Sequence, residues 1–286
     1  MNIFYIGSSS ALSLVPFKKL LSSNHSITAV GVFNPVVMNE KVFALENESL
    51  ALAANLHNIL LIDLSQPLDI ILQQCKKCSI DIILMSCFSK RLPDELINIG
   101  HHGCFNMHPS LLPRYRGPEP IFWQMKQASG LGVSWHQVEY DFDAGDIVNQ
   151  QTVTLCEGAT YTEINMQLAE TGAKLMMKLL ADASEGRLNK MGQDPGVASY
   201  YSYPQQQDFV LDLECSVQQA YNFVRATQVF GFSYRCQHNN QSYFLKQALN
   251  YDNKTSLKAV EVHGNGLYIP FKDGVLMATY TDKIPV

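Results

Sequence analysis

No uninterrupted apolar run in the 286 residues approaches the ~18 that a membrane span needs, so a spanning helix and a membrane partner are not expected. A basic excess is missing too. With 21 Lys plus Arg against 26 Asp plus Glu, the formal charge is −5, which removes any global pull toward nucleic acid or an anionic membrane. The leading MNIFYIGSSSALS has no basic region ahead of its apolar stretch, so no secretory leader is expected and the cytoplasm is the expected compartment. Cysteine is sparse: seven residues, odd in number and scattered from 75 to 236, fit reduced thiols better than a disulfide framework. Cys75-x-x-Cys78 has no second pair to complete a zinc site, and its spacing with Leu68, Ile71 and Leu72 puts both thiols on an apolar helical stripe. Gly7-Ser8-Ser9-Ser10 follows a strand but lacks GxGxxG, which argues against NAD or FAD. There is no internal repeat and no low-complexity tract.

What the chain does have is 47% hydrophobic and 10% aromatic residues, ample for a core, in a length that suggests about two domains on a prior of ~150 residues each. Short apolar runs at 3–6, 27–33, 59–62, 82–87 and 103–108 alternate with helical stretches ending near 21 and at 49–56 and 68–78. That alternation predicts an α/β fold, a Rossmann-like, mostly parallel sheet with flanking helices. A helix near 118–127, an extended stretch at 132–138 and a long helix come next. The long helix opens on a capping box, Thr160 with Glu163, carries Ile164, Leu168, Leu175 and Leu179 on one face, and closes at Gly186. We therefore expect a first domain over 1–190, an aperiodic linker at 191–207 rich in Gly, Pro and Gln, and a small, mainly β carboxy-terminal domain at 208–286.

The densest cluster of chemistry-bearing residues is GCFNMHPSLLPRYRGPEP at 103–120. Asn106 and His108 lie two apart on a strand, so they emerge on one face, just before Pro109 ends it. In an open α/β sheet the carboxyl ends of the strands are where ligands bind. An Asn and a His at a strand end commonly do no more than satisfy loop backbone groups, so the pair gains weight only from partners elsewhere in the chain. In VSWHQVEYDFDAGD, Ser134, His136 and Val138 share a face of an extended segment running into Asp141, Asp143 and Asp146. Asp143, ahead of Ala144-Gly145, is the best candidate to orient His108 and raise its pKa, with His136 in a supporting place. Three close acids also raise Ca²⁺, but the twelfth position of a loop starting at Asp141 is Thr152 where a bidentate Glu is required, so no metal is expected. Arg114 and Arg116 are placed either to meet an anionic part of a substrate or to clamp loop carbonyls.

Asn106-x-His108, Ser110-Leu111-Leu112-Pro113, Tyr115-Arg116-Gly117 and Asp143-x-Gly145 together resemble the formyltransferase family that uses 10-formyltetrahydrofolate, over roughly residues 1–190 in element order. Ser199-Tyr200-Tyr201 and the helix bearing Arg225-Ala226 look like the start of the carboxy-terminal domain of methionyl-tRNA formyltransferases. The resemblance implies an N-formyltransferase with Asn106, His108 and Asp143 as its catalytic set. It also implies a folate-side pocket shaped by Ser110, Leu111, Leu112 and Pro113, with Phe88, and 10-formyltetrahydrofolate as formyl donor without a metal.

The acceptor is argued from charge. Residues 34–49, where related tRNA enzymes carry a basic loop, hold one Lys against three Glu. Residues 205–286 hold seven Lys plus Arg and seven Asp plus Glu, a net of zero where a tRNA-holding domain should be basic. We expect a small-molecule amine acceptor such as a nucleotide-linked amino sugar or an ornithine derivative. Methionyl-tRNA is the runner-up, and hydrolysis of formyltetrahydrofolate by the same residues the third reading.

Overall fold

The computed structural model describes residues 1–33 and 49–281; the acidic stretch 34–49 lies, apart from Ser49, outside the described residues. In the first half, the apolar runs become strands and the periodic runs helices: β1 (Asn2–Gly7), α1 (Ala11–Leu21), β2 (Ser26–Val32), α2 (Leu50–Leu56), β3 (Leu60–Asp63), α3 (Leu68–Cys75), β4 (Ile82–Ser86), α4 (Asp94–Ile97) and β5 (Cys104–His108). Then come α5 (Pro120–Lys126), β6 (Leu131–Gln137), β7 (Ile147–Val153) and α6 (Tyr161–Ser184). The anticipated capping box is present: the Thr160 N–H donates to Glu163 Oε2 at 2.7 Å.

Seven strands form one sheet in the order β3-β2-β1-β4-β5-β6-β7. The first five are parallel, which is why β1 and β4 read as continuous apolar runs and are buried throughout their centres. β6 and β7 add antiparallel. β7 was not legible as a strand because Asn149, Gln150 and Gln151 interrupt its apolar alternation; as an edge strand it needs backbone pairing with β6 more than a buried face. The chain moves outward from β1 through β3 and then returns to β4, so the order reverses between β1 and β4, and the carboxyl ends beside that crevice belong to β1, β4 and, next in line, β5.

The aperiodic stretch after α6 has its own backbone pairings. Met191 and Ile147 exchange both N–H···O bonds at 2.9 Å, and Arg116 pairs with Ser199 and Tyr201. The chain divides into a first compact unit of Met1–Pro120, Gly130–Thr154 and Asn165–Tyr201, and a second of Ile121–Ser129, Leu155–Ile164 and Ser202–Val286. In the second unit α7 (Val217–Thr227) accompanies β8 (Tyr234–His238), β9 (Gln241–Asp252), β10 (Glu261–His263), β11 (Gly266–Phe271) and β12 (Gly274–Tyr280). These strands form an antiparallel sheet, β10-β11-β12-β9-β8, the mainly β architecture expected of this part of the chain. Its core joins Phe122, Phe209, Phe223, Tyr234, Leu245 and Leu276.

In the first unit, α6 seals the face of β5 opposite Asn106 and His108. The Trp135 indole N–H donates to the Gly172 carbonyl at 2.9 Å, and a Cβ on Gly172 would lie 2.0 Å from the buried Met107 sulfur. Gly172→Val should therefore overpack this contact and destabilise the protein by roughly 1–3 kcal/mol, readable as a lowered urea midpoint at unchanged slope.

Candidate active site

Alternation along β5 sends Asn106 and His108 to one face, and the antiparallel register with β6 sets Asn106 directly opposite His136 and His108 opposite Ser134. Two polar pairs drawn from distant parts of the sequence, Asn106 and His136 lying 30 residues apart, thus share one layer. The third element is the loop after β6, folded back by the Gln137 N–H donating to the Asp146 carbonyl at 2.8 Å. It brings Asp143 over β5, with Oδ1 3.4 Å from His108 Nδ1 and 3.5 Å from both His136 Nε2 and Asn106 Nδ2. Oδ2 accepts the Gly117 N–H at 2.9 Å. The group is desolvated: Asn106 is 9% exposed, His108 4% and the Asp143 side chain 11%.

Glycine is required at two places for this geometry. A Cβ on Gly145 would lie 2.2 Å from the Gln137 carbonyl oxygen, and one on Gly117, at φ +110°, would lie 2.1 Å from that of Tyr201. Asp143 itself sits at φ +56°, a left-handed conformation that costs an L-residue roughly 1–2 kcal/mol and that Asp tolerates better than most.

Carbonyl partners settle where the ring protons are. His136 Nδ1 lies 2.8 Å from the Gln137 carbonyl, which can only accept, so Nδ1 carries a proton, while Nε2 lies 3.1 Å from Asn106 Nδ2 and 3.5 Å from Asp143 Oδ1. The Asn106 carboxamide nitrogen is thus held between His136 and Asp143, 3.5 Å from Asp143 Oδ1. His108 Nε2 likewise donates to the Tyr115 carbonyl at 2.8 Å, leaving Nδ1 to face Asp143. Burial dominates the His108 environment and pushes its pKa below the ordinary histidine value, against the raising influence of the Asp143 charge and the Tyr115 carbonyl. At Asp143, burial works to raise the carboxyl, but attraction to the facing His108 and His136 rings in their proton-bearing forms and the Gly117 N–H outweigh it and hold the group well below the usual carboxylate range. The carboxylate is held ionised, and the buried His108 imidazole gives up its proton more readily than a free histidine. A proton delivered to His108 Nδ1 would be hydrogen-bonded at once, with its charge compensated.

The remaining residues singled out from the sequence divide by place. Ser110 and Leu112 are buried and pin their loop to β6: the Ser134 hydroxyl donates to the Ser110 carbonyl at 2.7 Å and accepts the Leu112 N–H at 3.1 Å. Leu111 packs over Gly132. Pro113, half-buried, accepts the Ser199 N–H, and Phe88 follows β4 against the Leu92 and Leu96 cluster. Arg116 is a clamp whose Nε and Nη2 both donate to Gln193 Oε1, at 3.1 and 2.7 Å, whereas Arg114 is exposed. Cys75 lies in the core, its thiol pushed up to about 11 by burial. Among the described residues no three His, Cys, Asp or Glu side chains are grouped to hold a metal. Sequence reasoning missed the Tyr115 carbonyl, the Gly117 amide and Gln193. It also missed Arg91, whose guanidinium lies 4.3 Å from the Tyr140 ring and 5.0 Å from that of Phe142, on the loop that leads into Asp143. The Tyr-Arg-Gly run was the available signal for the first two; backbone donors and acceptors leave no residue-type signature.

The sequence model of the family described as "Formyl transferase" matches residues 2–180. Methionyl-tRNA formyltransferase of Sulfurihydrogenibium sp. is 30% identical over 223 residues, 76% of this chain and 70% of that protein. That of Fusobacterium nucleatum is 25% identical over 288 residues, 97% and 90% of the two chains. Among solved structures, WlaRD, a sugar 3N-formyltransferase studied with dTDP and 5-N-formyl-THF, superposes with a TM-score of 0.69 at 18% identity over 99% of both chains. An N-formyltransferase from Helicobacter canadensis, in complex with folinic acid and dTDP-3-aminofucose, gives 0.68 at 16% over 98% of both. At these identities the structural likeness concerns the fold.

The electrostatics carry a direct test. The His108 imidazole, followed by NMR, should titrate below the ~6.5 of an unperturbed histidine. Because the Asp143 charge raises that pKa, Asp143→Asn should move the midpoint further down; a midpoint that rises would contradict the pairing.

Proposed function

The chain belongs to the formyl transferase family, and from that premise we propose that it moves the formyl group of 10-formyltetrahydrofolate onto the amine of a small-molecule acceptor. The nucleotide-linked amino sugars and ornithine derivatives are the acceptor classes preferred. The observation that carries this reading is the convergence of Asn106 and His108, within 3.5 Å, on one carboxylate oxygen of Asp143 at the carboxyl end of β5.

The chemistry asks for little more. As the acceptor nitrogen bonds to the formyl carbon and the bond from that carbon to the donor nitrogen breaks, negative charge grows on the formyl oxygen, and an N–H of the Asn106 carboxamide, exchanged from its long contact with Asp143, is the donor to meet it. A proton must leave the attacking amine and reach the departing nitrogen. Neutral His108 takes it, Asp143 stabilises the imidazolium, and the ring or a water returns it. No step requires a covalent bond to the protein. Phe88, Ser110, Leu111, Leu112 and Pro113 form the folate-side wall in this reading; Phe88 follows β4, whose end lies beside those of β1 and β5.

Two observations support a small acceptor. Residues 205–286 have no net charge, and the sugar N-formyltransferase WlaRD is matched over 99% of both chains. Methionyl-tRNA is the second reading, favoured by sequence likeness to methionyl-tRNA formyltransferases across as much as 97% of the chain. Single-turnover assays with 10-formyltetrahydrofolate separate these from hydrolysis. Consumption that needs a small amine supports the first reading, formylation of charged tRNA the second, and formate release without an amine the third.

Asn106→Ala and His108→Ala should each lower kcat by roughly two or more orders of magnitude with smaller changes in KM, and a folded variant with near wild-type turnover would refute the role of that residue. Binding to methionyl-tRNA should be weak, and log K against log[salt] should be nearly flat. A tRNA enzyme shows a slope of about −0.7 to −0.9 per phosphate contacted, and a steep slope with tight binding would promote the second reading.

A further inference from the structure

Asp143 stands in a left-handed conformation, and something outside its own turn must hold it there. The side chain is held by the Gly117 N–H. The main chain is held by Gln193, from the aperiodic segment that sequence reasoning passed over as a linker. Gln193 Nε2 donates to the Asp143 carbonyl at 2.8 Å and to the Gly145 carbonyl at 2.7 Å, so both amide protons go to the two residues that bracket Ala144. Its Oε1 accepts both Arg116 donors. Arg116 is fixed in turn, its N–H donating to the Ser199 carbonyl and its carbonyl accepting the Tyr201 N–H, each at 2.9 Å.

The contacts close a ring: from Arg116 through the Gln193 amide to the Asp143 main chain, through the Asp143 carboxylate to the Gly117 N–H, and back along one peptide bond. Resting on the reading of Asp143 as the carboxylate partner of His108, we infer that Gln193 is a positioning residue, setting the carboxylate at its distance from the imidazole without touching substrate. Only glutamine has the chemistry required. Glutamate would point oxygen at two carbonyls, asparagine is one methylene short, and an apolar side chain would leave the loop carbonyls and Arg116 without their partner.

The test uses the full chain with Gln193→Met, which removes every polar contact, and Gln193→Glu, which keeps an acceptor for Arg116 but has no N–H for the loop; melting curves establish that each is folded. Both should lose roughly tenfold or more in kcat, with KM for donor and acceptor within about twofold, because misplacing a reacting group costs turnover rather than uniform binding. In Gln193→Met the acid limb of the kcat profile should also move to lower pH, as in Asp143→Asn, because His108 loses the charge that raises its pKa. Wild-type kcat in Gln193→Glu would overturn the inference, since anchoring Arg116 would then suffice. A fall in kcat with an unmoved acid limb would overturn it too, leaving a purely structural role. Wild-type turnover in Asp143→Asn is a separate failure: it would remove the site reading itself.

Discussion

Because β6 runs antiparallel to β5 with Asn106 opposite His136 and His108 opposite Ser134, four polar side chains are forced into one desolvated layer. A slip of β6 by one residue would turn Ser134 and His136 away from Asn106 and His108 to the other face of the sheet, where α6 seals Met107 and Trp135 against Gly172. The apolar packing on that face therefore fixes the polar geometry on this one. Ser134 extends the constraint outward: its hydroxyl bonds the Ser110 carbonyl and the Leu112 N–H, so the loop that ends β5 is registered to the same strand that carries His136.

Desolvation then sets the chemistry. An imidazole in water would hold a proton near neutrality with little regard for a carboxylate several ångströms away. Buried as His108 is, its charged form is penalised, and the penalty is relieved only by Asp143 and the Tyr115 carbonyl. The carboxylate tolerates its own burial because it faces two imidazoles and a backbone N–H. Each group supplies what the other needs. The left-handed main chain at Asp143, the close approaches at Gly117 and Gly145, and the Gln193 amide belong to the cost of bringing that carboxylate to its place.

Membership of the formyl transferase family gives formyl transfer as the reaction class, and the acceptor is a matter for parts of the chain away from β5. There charge separates the readings. A metabolite amine needs a shaped pocket, whereas a tRNA needs neutralised phosphates, and a segment with equal numbers of acids and bases serves the first more readily than the second.

Much of the first sheet was legible in the sequence, because parallel strands buried on both faces must be continuous apolar runs and the crossovers between them must be helical. So was the polar set: Asn106 and His108 two apart before Pro109, Ser134 and His136 two apart, and Asp143 ahead of Ala144-Gly145 announced themselves by residue type and strand period. β7 and the pairings of the 191–201 segment were not legible, since an edge strand and an extended arm are held by backbone hydrogen bonds that any residue types make. By itself the sequence determined which side chains were available and which strand face each would take. Only the tertiary structure decided that the two faces meet, that the Tyr115 carbonyl and Gly117 amide complete the site, and that Gln193 braces Asp143. Those contacts join positions up to 50 residues apart through register and main-chain geometry, which local residue patterns do not encode.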